Sequence, residues 1–389
     1  MARKLTKTSL RVQLPLFTFI RLLSSTAFRM MYPFLPAFRD GLGISVVSLT
    51  RAIGARSLVA GLVGPFFAAF ADSRGRRWGM LLGLGLFVAG SASVVIWPTF
   101  PGLVLAMMLT IVGKVTFDPS MQAYLGDRVP YERRSAVLTL TELSWSGAYI
   151  LGIPAVGWVI ARAGWVAPFP LLGGLVLVSA AALLFILPRD PVKAIAPTKT
   201  LTNFKTILSD PTALTALAFT GFSCLANEIV NLTFGVWMES SFGLQLAALG
   251  AAAAVLGAAE LSGEGLVALI TDRLGKRRAI FIGVIVNCLA VALLPLTVGS
   301  LVLALAVLFL FYISFEFTIV SSIPLMTEVM PAARATMMAG FFTSASFGRA
   351  AASWITPGLY AISFGASLLG VVAANLVSLA FLAHLRVRD

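Results

Sequence analysis

Residues 68–77 read AAFADSRGRR, and residues 268–277 read ALITDRLGKR. Asp72 and Asp272 stand 200 residues apart, as do Gly75 and Gly275. The register extends upstream, where FRDGLGI (38–44) aligns with MESSFGL (238–244) at Gly43 and Gly243. A second register, offset by 201, pairs DRVP (127–130) with EVMP (328–331), so that Asp127 corresponds to Glu328. One pattern is therefore written twice along the chain.

Both copies are embedded in apolar sequence. The residues AVILMFWYC make up 59% of the 389, and mean hydropathy is +0.95. Charged residues are 12%, about half the ~25% of soluble domains. A soluble chain of this kind would lack the polar surface to cover its core, so the bilayer is the fitting solvent. A spanning helix needs ~20 apolar residues. Breaks at Pro, Gly and charge clusters give twelve such segments, near 13–37, 47–70, 78–97, 102–125, 135–161, 165–187, 212–237, 246–270, 279–298, 301–325, 335–361 and 363–385. The polar stretch 188–211, with four prolines and four basic residues, divides them six and six. The expectation is an all-α membrane protein with 12 transmembrane helices in two pseudo-symmetric six-helix bundles: 1–187, a cytoplasmic linker 188–211, and 212–389.

Lys and Arg set the orientation, because basic residues stay on the cytoplasmic side. With the N-terminus inside, 21 of the 29 basic residues fall in inside segments, and only Arg39, Arg51 and Arg162 fall at outside ends. Both termini are therefore expected to be cytoplasmic, in a plasma or inner membrane. The net charge of +13 is then a matter of insertion topology and implies no nucleic-acid partner. No cleavable signal is expected, since the basic start runs into a long span carrying Arg21 and Arg29 without a small-residue cleavage site.

Several chemistries are excluded. His384 is the lone histidine, and Cys224 and Cys288 sit in apolar runs, so neither a disulfide framework nor a metal site is expected. There is no G-x-x-x-x-G-K-[ST], H-E-x-x-H or G-x-S-x-G. The chain is not expected to be an enzyme or to carry a cofactor.

Parallel six-helix repeats with a solute site at their interface are one known transporter plan. The duplicated loop makes the likeness specific. It resembles the G-x-L-A-D-R-x-G-R-K/R signature of the major facilitator superfamily, with Asp72, Gly75, Arg76 and Arg77 matching in the first copy. Ala68, Phe70 and Ser73 depart from it. The second copy keeps Asp272, Arg273, Gly275, Lys276 and Arg277. The resemblance implies a conformational latch built from Asp72, Gly75, Arg76, Arg77, Asp127, Asp272, Gly275, Lys276, Arg277 and Glu328. Physically, a carboxylate at a helix end can cap a neighbouring helix N-terminus, and the arginines can bridge to Asp127 or Glu328. The competing reading is topology alone.

Charges inside the spans mark function by default. Five are basic (Arg21, Arg29, Arg56, Lys114, Arg349) and six acidic (Asp118, Glu142, Glu228, Glu260, Glu264, Glu316). They fall on spans one, two, four, five, seven, eight, ten and eleven, and leave three, six, nine and twelve without any. Eight helices are thus expected to line a cavity and four to face lipid. Counted from the inner boundaries at ~1.5 Å per residue, most of these charges lie near or just beyond the midplane. Lys114 and Asp118, four apart, can pair locally. Glu260 and Glu264 are four apart and of like sign, which favours an approaching cation or a proton. The expected proton-coupling residues are Asp118, Glu260, Glu264 and Glu316. Expected cavity residues are Arg29, Lys114, Glu142, Trp145, Tyr149, Glu228 and Arg349, with structural ion pairing as the alternative for each charge. Glu142, Trp145 and Tyr149 step along one face of span five and suit an amphiphilic or cationic ligand. Gly147, Gly152, Pro154 and Gly157 partly match a glycine-proline motif of exporter subfamilies, with Ile153 where that motif wants Gly.

The expected function is secondary active transport of a small molecule by a monomer in the lipid bilayer, through alternating access. Proton-coupled export of amphiphilic or drug-like compounds comes first. Transport of organic or lipid-like anions on the intramembrane arginines is the alternative, and a membrane receptor without transport the third class.

Overall fold

The computed structural model describes residues 7–188 and 207–385, the side chains of 7–9, 65, 67–74, 131–136, 332 and 335 excepted. Among the described residues there is no strand and there are fourteen α-helices. They are α1 (Lys7–Arg29), α2 (Leu35–Leu42), α3 (Val46–Arg74), α4 (Arg76–Ile96), α5 (Phe100–Arg128), α6 (Tyr131–Gly147) and α7 (Ile153–Ala163). Then follow α8 (Pro168–Ile186), α9 (Pro211–Phe242), α10 (Leu246–Leu274), α11 (Lys276–Leu293), α12 (Leu301–Val329), α13 (Arg334–Ile362) and α14 (Phe364–His384). Most of the expected linker, 189–206, lies outside the described residues, as do Arg3, Lys4, Arg386 and Arg388 at the chain ends.

Three expected spans are not single α-helices, the ninth because it finishes after α11 in a 3-10 turn, Leu294–Thr297. The first is broken at Met30–Phe34 into α1 and α2. Pro33 disfavours the α-conformation in Tyr32 and removes a backbone donor. The fifth passes from α6 to α7 through a π-helical turn, Ala148–Gly152. Pro154, in the first turn of α7, cannot donate back into the preceding turn, and a widened turn absorbs the mismatch. Ten spans are long and apolar enough to cross a membrane. The two that fall short in apolar character are α1 and α13. Their lengths of 23 and 29 residues suffice, but they carry Arg21, Arg29 and Arg349 among runs of Ser and Thr.

The helices form two compact units. One comprises Met1–Met31 with Val63–Ala196, the other Tyr32–Leu62 with Pro197–Asp389. In the first, α1 packs on α5, α6 and α8, and α4 packs on α5 and α8. In the second, α9 packs on α13 and α14, α11 on α12 and α14, and α10 on α12. The repeat thus holds in the pairing: α1/α6 matches α9/α13, and α4/α5 matches α11/α12. Segment Tyr32–Leu62, which the repeat places in the first half, groups with the second unit through close packing. A Cβ on Gly235 would stand 2.6 Å from the Tyr32 carbonyl oxygen, and one on Gly54 2.9 Å from the Ser353 Cβ.

The repeat is also written in backbone conformation. Gly43 and Gly243 end α2 and α9 in the left-handed region at φ 63° and 64°. Gly75 and Gly275, at φ 104° and 80°, each make a single-residue reversal between two long helices, a conformation that a Cβ disfavours.

Candidate functional site

In the first unit, five charged side chains meet where α1, α5 and α6 pack. Arg21, 5% exposed, donates to both oxygens of Glu142 at 2.6 and 2.9 Å. Its Nε lies 3.5 Å from the Asp118 carboxylate. Lys114 donates to Asp118 at 2.9 Å and to the Ser25 hydroxyl at 3.2 Å. Gln122 adds a 3.1 Å hydrogen bond to Glu142. Arg29 closes α1, where a cation suits the helix dipole. Its guanidinium carbon lies 3.7 Å from the Trp145 ring centroid and 4.2 Å from that of Tyr149.

Glu142, Trp145 and Tyr149, which the sequence suggested as a ligand face, meet the chain's own arginines. Arg21 holds the carboxylate and Arg29 stacks on both rings. Close approach makes this possible, since a Cβ on Gly152 would fall 1.9 Å from the Thr26 hydroxyl oxygen. Three cations, Arg21, Arg29 and Lys114, stand here against two acids.

In the second unit a hydrogen-bonded network spans the turn after α1, α3, α9 and α12. The Tyr32 hydroxyl donates to Glu228 at 2.8 Å and accepts from Arg56 at 3.1 Å. Asn231 donates to the other Glu228 oxygen at 3.2 Å and to Asn227 at 3.0 Å. Tyr312 donates to Asn231 at 2.6 Å. Glu228 is fully buried, and a carboxylate at that depth requires such donors. Glu260 and Glu316 are 4% and 8% exposed. The Glu316 Cβ lies 2.8 Å from where a Cβ on Gly263 would be, which places it one helical turn from Glu260 at the α10/α12 crossing. Glu264 and Arg349 are half-buried. Four acids thus share this unit with Arg56 and Arg349.

Tyr32, Arg56, Asn227, Asn231 and Tyr312 were not expected as site residues. The charge of Arg56 inside a span and the polar cluster N-E-I-V-N (227–231) in an apolar helix are the sequence signals for part of the set.

The duplicated loops make duplicated contacts. Arg76 lies 3.6 Å from Asp127, and Lys276 pairs with Glu328. Arg77 donates to the Leu184 carbonyl at 2.7 Å, and Arg277 to the Ala383 carbonyl at 2.6 Å. Each copy thus ties one basic residue to an acid of its fourth span and another to the last turn of its sixth, where cations satisfy orphan carbonyls. Asp272 is exposed at the end of α10, and the Asp72 side chain lies outside the described residues. At the opposite helix ends Arg39 binds Asp40 at 2.6 Å, and this holds the Asp40 carboxyl below the usual carboxylate range.

Among the described residues no group of His, Cys, Asp and Glu is arranged to hold a metal. What the two units share is a set of buried charges on paired, repeated helices. Over 353 residues the chain is 21% identical to the MFS-type transporter YwfA of Bacillus subtilis (strain 168), covering 90% of this chain and 85% of that one. Over 290 residues it is 27% identical to an MFS-type efflux pump of Mycolicibacterium smegmatis (strain ATCC 700084 / mc(2)155), covering 70% and 68%. Among solved structures, a POT family transporter in complex with 5-aminolevulinic acid superposes with a TM-score of 0.78 at 13% identity, covering 96% and 95%. A bacterial homologue of the human lysosomal transporter Spinster does so at 0.77 and 14%, covering 98% and 95%. The Major Facilitator Superfamily profile matches residues 17–353, and together with the repeated fold this shows that the chain is a multi-pass membrane protein belonging to the Major Facilitator Superfamily of transporters.

Proposed function

We propose that the chain is a secondary active transporter, working by alternating access, that couples proton entry to export of amphiphilic, drug-like compounds. It would act as a monomer in the plasma or inner membrane with both termini cytoplasmic. The observation that carries the coupling is the placing of Glu316 against Gly263, one turn from Glu260. Two buried carboxylates at one helix crossing repel one another, and a proton or a cationic solute relieves the repulsion. Asp118, which Lys114 and Arg21 hold, is a further candidate. Export is supported by the relative named an efflux pump. The two repeats, 1–187 and 212–389, would be the moving bodies.

Proteoliposomes carrying Glu316→Gln test the coupling. The variant is expected to keep solute counterflow while losing uphill accumulation driven by a pH gradient. Unchanged gradient-driven accumulation in both Glu316→Gln and Glu260→Gln would remove the proposal. The excess of cations in the first unit favours a second reading, transport of organic anions. In that case anions alone would raise the melting temperature, and Arg29→Ala would abolish the effect.

A further inference from the structure

Arg349 stands out in the second unit. At the crossing of α9 and α13 the backbones touch, and a Cβ on Gly348 would fall 2.0 Å from the Gly221 carbonyl oxygen. One turn before Arg349, Ala345 packs with Cys224 of α9 and Phe315 of α12 as a small apolar floor. Arg349 rises from that floor, half-buried, in the field of Cys224, Glu228, Tyr32 and Glu316. Among the described residues its guanidinium enters no hydrogen bond or ion pair. A guanidinium offers five donors and cannot discharge.

A second donor stands on the neighbouring helix. Asn227 is 5% exposed. Its Oδ1 accepts from Asn231 at 3.0 Å, while its Nδ2 has no hydrogen-bond partner. It lies within one turn of Cys224 and Glu228, on the side of α9 that reaches α12 through Asn231 and Tyr312. An unmatched donor buried this deeply is unusual in a folded chain and calls for an acceptor.

Charge balance then restricts what that acceptor belongs to. Arg56 and Arg349 stand among four acids, Glu228, Glu260, Glu264 and Glu316, and Glu228 is further held by Tyr32 and Asn231. A bare anion at Arg349 would deepen the negative excess beside Glu316, and a bare cation at Glu316 would leave the donors of Arg349 and Asn227 without an acceptor. A ligand bearing both signs meets both demands.

We propose that Arg349 and Asn227 take a carboxylate of the transported compound while Glu316 takes its protonated amine, so that the preferred substrate is a zwitterionic amphiphile. This rests on the export reading and sharpens it, because a proton and an ammonium group then compete for the same carboxylate, as an exchange of the two requires.

Equilibrium fluorescence titration of the purified full chain tests this without any gradient. The probes are Nε-dansyl-lysine (a zwitterion), its methyl ester (a cation) and its Nα-acetyl derivative (an anion). The zwitterion is expected to bind about tenfold more tightly than either, the size of one charge-assisted hydrogen bond. Arg349→Gln is expected to erase its advantage over the ester, and Glu316→Gln its advantage over the acetyl form. Arg349→Lys and Asn227→Ser should each reduce the first advantage only. The ranking is read within each variant, so partial loss of folded protein does not alter it. Equal binding of ester and zwitterion, an unchanged ranking in Arg349→Gln, or no binding of any probe to folded protein would overturn the inference. Gradient-driven export of the ester with no preference for the zwitterion would overturn it while leaving proton-coupled export standing.

Discussion

Arg21 and Tyr32 are two kinds of buried polarity, and they should fail differently. Arg21 compensates both Glu142 and Asp118. Arg21→Gln leaves Asp118 with Lys114 alone and Glu142 with Gln122. Removing one partner of a buried pair costs about 3 kcal/mol or more, but Glu142 is 44% exposed, so a loss below that figure is expected in thermal unfolding of detergent-purified protein. Tyr32 acts on a single carboxylate. Tyr32→Phe takes one donor from a fully buried Glu228, at about 1–3 kcal/mol, and frees the Tyr32–Leu62 segment from one of its ties to α9. A faster exchange of backbone amides confined to 32–62 would check it; exchange unchanged there would count against the tie. The charges of both clusters were legible in the sequence, because a charge interrupts an apolar span. Tyr32, Asn231 and Tyr312 were not, since neutral polar residues in helices are common. Their partners also lie 196 and 81 residues away.

At the scale of helices, small residues decide how closely pairs approach. Without a hydrophobic force between membrane helices, backbone contact at glycines supplies much of the packing. Gly348 meets the Gly221 carbonyl, which is backbone and cannot swing aside, whereas Gly85 of α4 has nothing near its missing Cβ. Gly348→Ala is therefore expected to destabilise by about 1–3 kcal/mol through overpacking. Gly85→Ala should be neutral or stabilising by a few tenths to about 1 kcal/mol. Melting temperatures of the two variants against the parent measure both; an equal effect would contradict the crossing. Span number and the loop reversals could be read directly, because hydrophobic length and Gly-plus-charge patterns are local. The break after Arg29 had a local signal in Pro33. The π turn arises from a compromise between Pro154 and the approach of Gly152 to Thr26, and that partner lies on another helix.

At the scale of the molecule, duplication is the organising fact. It appears in sequence offset, in the paired glycine conformations and in the paired loop contacts. If the Lys276–Glu328 pair acts as a latch, Glu328→Lys should slow transport and Lys276→Glu with Glu328→Lys should restore it. Rescue absent from the double variant would assign the pair to folding or topology. The grouping of Tyr32–Leu62 with the second unit was hidden from the sequence, since the repeat reports ancestry of the fold and not which neighbours a segment contacts. The central claim is that proton movement drives solute movement. Purified protein in liposomes, with an amphiphilic fluorescent solute and an imposed pH gradient, addresses it most directly. The account predicts uphill solute accumulation that collapses when a protonophore dissipates the gradient. Solute flux of the same rate and extent with and without the gradient would contradict it.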